Sequence, residues 1–497
     1  MPGYYVENFG CRATQADGAA LERQFEERGL ARASASALAS VVVLNTCTVT
    51  AAADQDARAA IRRVRRQNPD AKIVVTGCYA QRAPEEIAAL PGVSLVIGNS
   101  HKHQLAEIVG AQSAAVISDA EAPSNFEPTS DRGRRSASSA VKGAASAPGA
   151  SPPGVPAFVP LAALTENREL RTENSIFVSD IFAHTELLAA PVFDAANERT
   201  RPNLKVQDGC DNRCSFCVIP YVRGQSRSLE VNRVIAEVNA LVNSGYREVV
   251  ISGINLGRWG RDLGVGRQAT GFEDLVRDIL SQTGLEKLRI SSVEPMDWSD
   301  ELIALVASSP RIAKHAHVPM QSGSDAVLRR MHRKYRPWHY REKIETIRAA
   351  LPSAAIGADV MVGFPGETDA EFESTRRMIE DLPFTYLHVF TYSARPGTPA
   401  ADMRNQVPVH VARERNRVLR ELAAEKKLAF MREFVGNDVE AITLNVVGRD
   451  ERGEFTETLT DNYLKLRLQG RHDANRWLRA RVEDVVGGAL VGRARRG

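Results

Sequence analysis

Long apolar runs and a strong net charge of either sign are both missing from this sequence. No stretch approaches the roughly 18 consecutive apolar residues of a transmembrane helix, so we expect no membrane span. The net charge of the 497 residues is only +3, so a polyanionic partner would have to be bound by a local surface. The first residues, MPGYYVENFGC, show no basic segment leading into an apolar one, which predicts no secretory signal and a cytoplasmic protein.

Cysteine is scarce, and its placement is informative. The six cysteines are Cys11, Cys47, Cys78, Cys210, Cys214 and Cys217. A chain of this length can bury a sizeable core without disulfides, and the cytosol keeps thiols reduced, so we do not expect three disulfides. Metal binding or redox chemistry is the better interpretation of these thiols.

The N-terminal part of the chain alternates predicted strands with predicted helices. The apolar segments SVVVLNTC and AKIVVTGC are typical of buried strands, and the basic helix DQDARAAIRRVRRQNP separates them. This alternation predicts a parallel α/β domain, which we bound at residues 1–112. Cys11, Cys47 and Cys78 each lie at the carboxyl end of a predicted strand, and open parallel sheets bind ligands at that edge.

The remainder of the chain divides into three further segments. Residues 113–195 are expected to be a linker, in which 119–160 is a low-complexity insertion rich in Ala, Ser, Pro and Gly. Repeated strand-to-loop transitions over 196–430 predict a partial (β/α) barrel. Residues 431–497 have the pattern of short strands in a small β-barrel. The predicted fold class is therefore α/β. It consists of an N-terminal parallel α/β domain, a central partial (β/α) barrel and a small C-terminal β-barrel.

Three cysteines are concentrated in DGCDNRCSFCVIP, residues 208–220. Thiolates are the usual ligands of iron–sulfur clusters, and C-x3-C-x2-C on one loop can hold three irons of a 4Fe–4S cluster. A structural zinc site would need a fourth Cys or His nearby, and none follows. Because three ligands leave one iron open to a substrate or cofactor, the spacing predicts a catalytic cluster.

Cys210, Cys214 and Cys217, with Phe216 before the last of them, resemble the signature of radical S-adenosylmethionine (SAM) enzymes. The resemblance implies that the open iron binds the amino and carboxylate groups of SAM. It implies that reductive cleavage of SAM then yields a 5′-deoxyadenosyl radical. A partial (β/α) barrel is the fold that supports this chemistry in the superfamily.

The segments NFGCRATQAD, LNTCTVT and VTGCYAQ resemble the N-terminal domain of the methylthiotransferases within that superfamily. The resemblance implies a second, auxiliary 4Fe–4S cluster held by Cys11, Cys47 and Cys78. Residues around Cys47 and after Cys217 are most similar to the branch that acts on N6-threonylcarbamoyladenosine at tRNA position 37. The branches that act on N6-isopentenyladenosine-37 and on a ribosomal protein are the alternatives.

The family mechanism implies the cofactors and partners. One SAM methylates a sulfur carried on the auxiliary cluster, and a second SAM is cleaved at the other cluster. A radical is required because adenine C2 has no useful acid and no leaving group. The implied partners are tRNA, a reductant protein such as a flavodoxin or ferredoxin, and a sulfur donor. We expect the protein to be a monomer.

Several polar residues follow predicted barrel strands, where a (β/α) barrel carries its function. The resemblance implies that these loops hold the methionine and ribose of SAM, with Glu294 or Asp359 accepting a hydrogen bond from a ribose hydroxyl. The candidate cofactor contacts are Phe216, Gly253, Asn255, Glu294, Gln321 and Asp359. Arg395 is a candidate for contact with the cofactor or RNA.

Two histidines belong to one predicted strand of the barrel. We interpret His315 and His317 as packing or supporting residues rather than ligands, and we expect them to face opposite sides of the strand.

Local groups of arginine are the candidate tRNA surfaces. Arg62, Arg63, Arg65 and Arg66 lie on one predicted helix of the N-terminal domain. The end of the chain is basic, resembles the TRAM domain of RNA-modifying enzymes and suits phosphate contacts. Its arginines are Arg467, Arg471, Arg476, Arg479, Arg481, Arg493, Arg495 and Arg496. Tyr463 and Trp477 are expected to fill the core of this small barrel.

A non-enzymatic alternative is an iron–sulfur electron carrier or an RNA-binding module. Electron carriers normally complete each cluster with four protein ligands, and this chain offers two sets of three, which disfavours that class. The basic end of the chain disfavours the ribosomal-protein branch, for which we would expect a more acidic terminal barrel.

Overall fold

The computed structural model describes residues 3–120, 175–184, 187–188, 200–264 and 271–495. The chain forms two compact units, Met1–His103 with Asn174–Gly497, and Gln104–Glu173. The described part of the second unit is one helix, Leu105–Ala120. The predicted insertion, 119–160, lies almost entirely outside the described residues, as do Arg496 and most of the predicted linker.

The N-terminal domain is a parallel sheet with the strand order β2-β1-β3-β4-β5-β6. Its strands are β1 (Gly3–Asn8), β2 (Ala31–Arg32), β3 (Val41–Thr46), β4 (Lys72–Gly77), β5 (Val93–Gly98) and β6 (Ser175–Phe177). The helices of this part of the chain are α1 (Arg12–Glu26), α2 (Ala51–Gln67), α3 (Cys78–Arg82), α4 (Pro84–Ala88) and α5 (Leu105–Ala120). β3 is buried along its whole length, which explains its continuous apolar run.

The central segment contains two sheets, with the orders β10-β9-β7-β8 and β11-β12-β13. The strands are β7 (Asn203–Asp208), β8 (Arg227–Ser228), β9 (Glu248–Gly253), β10 (Lys287–Ile290), β11 (His315–His317), β12 (Ala355–Val362) and β13 (Tyr386–Thr391). Parallel bridges between Leu288 and Ile312 and between Ser292 and His317 join the two sheets. The result is the predicted partial barrel of mainly parallel strands.

Helices connect these strands and cover them. They are α6 (Ile219–Arg223), α7 (Val231–Asn243), α8 (Phe272–Gln282), α9 (Asp300–Ser308), α10 (Asp325–Arg330), α11 (Pro337–Ala350), α12 (Asp369–Asp381) and α13 (Val409–Arg432). Strand residues such as Leu204 and Ile356 share one buried apolar cluster with helix residues such as Leu275 and Ile344. This core holds the strands in place, so the loops at their carboxyl ends are carried on a rigid support.

The chain ends in a closed barrel with the strand order β14-β15-β16-β18-β17. Its strands are β14 (Asp438–Asp450), β15 (Gly453–Thr460), β16 (Lys465–Gln469), β17 (Trp477–Val486) and β18 (Ala489–Ala494). The barrel contacts the central segment through Arg289, which donates to the carbonyl oxygens of Thr460 and Asp461 at 3.4 and 3.1 Å. The predicted fold class is thus confirmed in all three parts. Among the described residues, no helix is both long and apolar enough to cross a membrane.

Candidate active site

The first three cysteines meet at one edge of the N-terminal sheet. Cys11 immediately precedes α1, Cys47 directly follows β3, and Cys78 is the first residue of α3 after β4. Because β1, β3 and β4 are adjacent parallel strands, their carboxyl ends lie side by side. We call these residues the N-terminal trio. Cys47 and Cys78 are buried and Cys11 is exposed, so the trio is accessible from one side.

Two glycines permit this close approach. Gly10 has φ +111°, and a Cβ there would lie 2.6 Å from the Cβ of Cys47. Gly77, which precedes Cys78, has φ +99°, and its Cβ would lie 2.3 Å from the carbonyl oxygen of Thr46. Any other residue would therefore combine an unfavourable backbone conformation with a steric clash at both positions.

The electrostatics of the N-terminal trio favour a bound cation. Burial, followed by the neighbouring thiol of Cys78, raises the pKa of Cys47 to about 12. Three closely spaced thiolates are thus disfavoured in the protein alone, and a cationic iron centre is the kind of group that stabilises them. The donor set of this trio fits an iron–sulfur cluster.

The other three cysteines lie on the loop between β7 and α6, and we call them the loop trio. Gly209 begins this loop with φ +72°, and a Cβ there would lie 1.8 Å from the carbonyl oxygen of Gln225. The amide of Cys210 donates to the carbonyl of Gly224 at 3.0 Å, and the amide of Cys217 donates to that of Cys214 at 3.1 Å. These bonds fold the loop back on itself, so its three thiols are turned into one site.

Ser215 anchors the loop trio to the barrel. Its amide donates to the carbonyl of Met331 at 3.1 Å. Its hydroxyl donates to the carbonyl of Arg330 at 2.7 Å. Since these carbonyls lie at the end of α10, the loop is attached to a helix far along the chain, and the position of the thiols does not depend on the loop alone.

The loop trio has the same electrostatic character as the N-terminal trio. Burial raises the pKa of Cys210 to about 11 and that of Cys217 to about 12, and the nearby Cys214 thiol adds to both effects. Arg333 Nη1 lies 3.2 Å from the sulfur of Cys214, and Asn255 Nδ2 lies 3.6 Å from that of Cys210. Donors aimed at the sulfurs, together with clustered buried thiols, fit a 4Fe–4S cluster at this loop.

Two of the candidate cofactor contacts have a buried side-chain oxygen that accepts no hydrogen bond from the described residues. In the part of the chain that the structure describes, Asn255 Oδ1 and Gln321 Oε1 are buried and accept no hydrogen bond. Gln321 also has φ +63°, a strained conformation for a residue other than glycine. Unsatisfied buried acceptors are costly, so both side chains are suited to a polar ligand that donates to them.

The remaining candidates have partners within the protein. Glu294 forms an ion pair with Arg333, which itself lies beside Cys214. A Cβ at Gly253 would lie 2.8 Å from Gln207 Oε1, so this glycine allows β7 and β9 to pack closely. Phe216 packs edge-to-face on Phe364, with ring centroids 6.4 Å apart, at the margin of the barrel core.

The N-terminal trio packs against the segment that follows the loop trio. Cys78 shares a small buried cluster with Val218 and Val222, which lie immediately after Cys217 and within α6. Asn99 Nδ2 donates to the carbonyl of Val222 at 2.7 Å and lies 3.6 Å from the sulfur of Cys78. The N-terminal trio is thus in contact with the segment that carries the loop trio.

A buried group of charges beside both trios was not predicted. We call it the ion network, and its members are Asp17, Lys102, Lys205, Asp208 and Arg223. Lys205 and Asp208 lie on β7, which is buried at every residue despite its polar sequence NLKVQD. In the sequence, the only indication of this network was the presence of charged residues within the strand that leads into the cysteine loop.

The prediction for the two histidines was wrong in its geometry. His315 and His317 are two residues apart on β11, so they face the same side of the strand. Both rings stack on Tyr386, with centroids 5.8 and 5.9 Å away.

Arg395 has hydrogen-bond partners in the N-terminal domain. It is buried and donates to Asp54 Oδ2 at 2.9 Å and to the carbonyl of Thr48 at 3.2 Å. It therefore links the segment that follows β13 to the loop that follows Cys47.

Tyr463 and Trp477 were expected in the core of the terminal barrel; both are half-buried, and Tyr463 packs against that core. The ring of Tyr463 lies 4.6 Å from that of His315. Lys287 Nζ lies 4.9 Å from the centre of the Trp477 ring. Both aromatic side chains face the central segment, so they help to join the two parts of the protein.

Residues 3–98 match the family described as Uncharacterized protein family UPF0004, and residues 204–379 match the Radical SAM superfamily. Among solved structures, the fold is similar to that of TsrM from Kitasatospora setae, a radical S-adenosylmethionine methyltransferase. The TM-score is 0.51 at 16% sequence identity, over 80% of this chain and 74% of that chain. This likeness supports the fold.

Curated relatives match almost the whole chain. Threonylcarbamoyladenosine tRNA methylthiotransferase MtaB of Bacillus subtilis (strain 168) is 34% identical, over 93% of this chain and 90% of the relative. The protein of the same name from Aquifex aeolicus (strain VF5) is 32% identical, over 96% and 99%. tRNA-2-methylthio-N(6)-dimethylallyladenosine synthase of Thermobifida fusca (strain YX) is 31% identical, over 97% and 84%. The chain therefore belongs to the radical SAM methylthiotransferase family, as its cysteine pattern predicted.

Proposed function

We propose that this protein attaches a methylthio group to C2 of N6-threonylcarbamoyladenosine at position 37 of tRNA. The observation that carries the proposal is the contact of Cys78, a member of the N-terminal trio, with Val218 and Val222 in the segment that follows the loop trio. Methylthio transfer needs a site that carries sulfur next to a site that generates a radical, because one adenine carbon must reach both. The Bacillus and Aquifex relatives, which carry the threonylcarbamoyladenosine name, favour this substrate.

The loop trio is the proposed site of SAM cleavage. Family membership brings SAM and a 4Fe–4S cluster as cofactors, and we assign Cys210, Cys214 and Cys217 as the cluster ligands. When bound, the cluster supplies the electron that cleaves SAM. Arg333 holds both Cys214 and Glu294, so it orients a cluster ligand and a candidate cofactor contact together.

The loops at the strand ends are the proposed SAM site. Asn255 and Gln321 present buried free oxygens, which suit the amino group and ribose hydroxyls of SAM as donors. Glu294, Gly253 and Phe216 complete the proposed contacts. Asp359 was predicted to accept from a ribose hydroxyl, but in the structure its Oδ1 lies 3.4 Å from His317 Nε2, so we do not include it among the proposed SAM contacts.

The N-terminal trio is the proposed site of the auxiliary 4Fe–4S cluster, with Cys11, Cys47 and Cys78 as ligands. Their positions on three adjacent strand ends and the raised pKa of Cys47 support this assignment. The exposed position of Cys11 leaves one side of the trio accessible to a substrate.

Exposed arginines on two surfaces are the proposed tRNA contacts. On α2, Arg62, Arg65 and Arg66 are exposed, whereas Arg63 pairs with Glu7. At the end of the chain, Arg471, Arg476 and Arg479 are exposed and form no ion pair with any described residue. Unpaired arginines are free to contact phosphates, which makes them the stronger candidates.

The proposal also includes protein partners, an oligomeric state and domain boundaries, which are supported by the sequence. The reductant is a flavodoxin or ferredoxin, a separate sulfur donor restores the transferred sulfur, and the protein acts as a monomer in the cytoplasm. The segments 1–112, 113–195, 196–430 and 431–497 are proposed as the N-terminal domain, linker, radical SAM barrel and TRAM-like barrel.

Mass spectrometry of tRNA nucleosides tests the proposal. The gene is expressed in a host that lacks its own methylthiotransferases, with the empty vector as control. We expect 2-methylthio-N6-threonylcarbamoyladenosine to appear. Appearance of the isopentenyl counterpart would overturn the substrate while keeping the reaction. Absence of both, with SAM cleavage intact in the purified protein, would favour a protein substrate.

A further inference from the structure

Three side chains outside the cysteine trios converge inside the barrel. The ligand atoms of His317, Asp359 and His388 all lie within 4.8 Å of one another. They come from three adjacent parallel strands, β11, β12 and β13, and Asp359 and His388 are paired in the strand register. We propose that this group, the His–Asp–His trio, is a binding site for a divalent first-row metal ion. This inference does not depend on the proposed substrate.

The strand geometry explains the convergence. Gly357 is paired with His317 on one side and with Tyr386 on the other, and a Cβ on Gly357 would lie 1.9 Å from the Tyr386 ring. The Tyr386 ring thus lies over Gly357 and packs against His317. Asp359 and His388 lie two residues further along their strands, so their side chains point to the same face.

His317 has one ring nitrogen engaged by the protein and one available to a metal. Its Nδ1 is hydrogen-bonded to the hydroxyl of Ser292 at 2.6 Å. Its Nε2 is buried, makes no hydrogen bond with any described residue, and lies 3.4 Å from Asp359 Oδ1. The Ser292 hydroxyl can accept from Nδ1–H, and in that tautomer Nε2 is free as a ligand, which is the usual arrangement in metal sites. A buried nitrogen without a partner is otherwise costly.

The ligand set indicates the class of ion. Two imidazoles and one carboxylate suit Fe²⁺, Mn²⁺ or Zn²⁺, and three protein ligands leave coordination positions for water or another oxygen. His388 is exposed, which provides a path for the ion, whereas His317 is buried. The soft thiolates of the cysteine trios suit iron–sulfur clusters instead, so the two kinds of site select different ligands.

Binding of Mn²⁺ to the cluster-loaded, full-length protein tests the site. Free aqueous Mn²⁺ gives a strong electron paramagnetic resonance signal that is lost on binding, and oxidised 4Fe–4S clusters do not obscure it. We expect one Mn²⁺ per chain. His388→Ala and Asp359→Asn should each weaken binding by at least tenfold, and Ser292→Ala by roughly tenfold. His410→Ala is the matched control, since His410 is an exposed histidine on α13, and it should bind as the wild type does.

Three outcomes would overturn the proposal. The first is no Mn²⁺ binding by the wild type. The second is equal binding by His388→Ala and His410→Ala, which would mean an adventitious ion only. The third is loss of Mn²⁺ binding when SAM is saturating, which would place Asp359 in the cofactor site as the sequence suggested. His388 is exposed, so its variant decides the matter even if Asp359→Asn fails to fold. Iron content and SAM cleavage, measured on the same samples, test the proposed function separately.

Discussion

Arg223 and Asp17 form an ion pair in the protein interior, with 3.0 Å between Nη2 and Oδ2 and both side chains only 2% exposed. Asp17 lies on α1, which begins after Cys11, and Arg223 ends α6, which follows Cys217. Arg223 Nη1 also donates to both carboxylate oxygens of Asp208 at 3.0 Å. Buried ion pairs therefore hold α1, which follows Cys11, against α6, which follows Cys217.

Removing Arg223 should destabilise the protein strongly. Arg223→Ala leaves two buried carboxylates with less compensating charge, and we expect the free energy of unfolding to fall by about 3 to 5 kcal/mol. Arg223→Lys keeps the charge but loses the forked geometry that reaches both carboxylates, so its loss should be smaller. Urea unfolding followed by circular dichroism measures the change. Arg233→Ala, at an exposed arginine on α7, is the control, and its free energy of unfolding should stay within about 0.5 kcal/mol of the wild type. Equal losses in Arg223→Ala and Arg233→Ala would contradict the prediction.

The ion network also predicts how stability responds to acid. Burial by itself would raise the pKa of Asp17, but Lys102, Lys205 and Arg223 outweigh it and lower this pKa to about 2. The pKa of an aspartate in the unfolded chain is about 3.9. The contribution of Asp17 to stability is therefore fully present above the unfolded pKa and is lost as the pH falls through the folded pKa.

Asp17→Asn should flatten the acid limb of the stability–pH curve by about 2.5 kcal/mol. Unfolding measured between neutral pH and the acid limit of the native state gives this curve. Asp70→Asn, at an exposed aspartate, is the control and should leave the limb unchanged. An acid limb that is equally steep in Asp17→Asn and the wild type would show that the network does not lower this pKa.

Substitutions in the two cysteine trios should abolish different steps of the reaction. Cys214→Ala removes a ligand of the proposed radical cluster, so SAM cleavage should stop. Cys47→Ala should spare SAM cleavage and stop methylthio transfer. Chromatography of 5′-deoxyadenosine and mass spectrometry of tRNA nucleosides measure the two steps. A Cys47→Ala protein that still made product would refute the auxiliary cluster.

Gly77→Ala should damage the auxiliary cluster selectively. The new Cβ would meet the Thr46 carbonyl at 2.3 Å in a backbone conformation with φ +99°. We expect a stability loss of more than about 1 kcal/mol and the loss of one cluster's iron. Gly29→Ala is the control, because Gly29 has φ +75° but open space around it, so it should show the backbone cost with full iron content. Iron analysis that finds two clusters in Gly77→Ala would contradict the prediction.

The unpaired arginines of the terminal barrel should contribute to tRNA affinity through phosphates. Replacing Arg471, Arg476 and Arg479 together by Gln should weaken binding and reduce the slope of log affinity against log salt by about 2 to 3. Filter binding across a salt series measures both quantities. Arg417→Gln, which removes an exposed arginine paired with Glu414 and Glu421 on α13, should change neither. An unchanged slope in the triple variant would exclude this surface from tRNA binding.

Much of the fold followed from local patterns. The apolar run that became β3 and the cysteine after it are consecutive in the sequence, and a parallel sheet brings the ends of neighbouring strands together. The side-chain partners were harder to predict. His315 and His317 face the same side of β11 because side chains two residues apart on a strand share a face. The partner of Arg395, Asp54, lies in another domain and so could not be found from a local pattern.

The sequence by itself determined the six thiols, their spacing and the family, because these are properties of short segments and of the order of strands and helices. Only the tertiary structure decided that Cys78 of the N-terminal trio packs against α6, which follows the loop trio. It also decided that Asp17 and Arg223 pair in the interior and that His317, Asp359 and His388 converge on one face. These contacts join residues that are distant in the chain, and such pairs are set by how whole elements pack rather than by any local pattern.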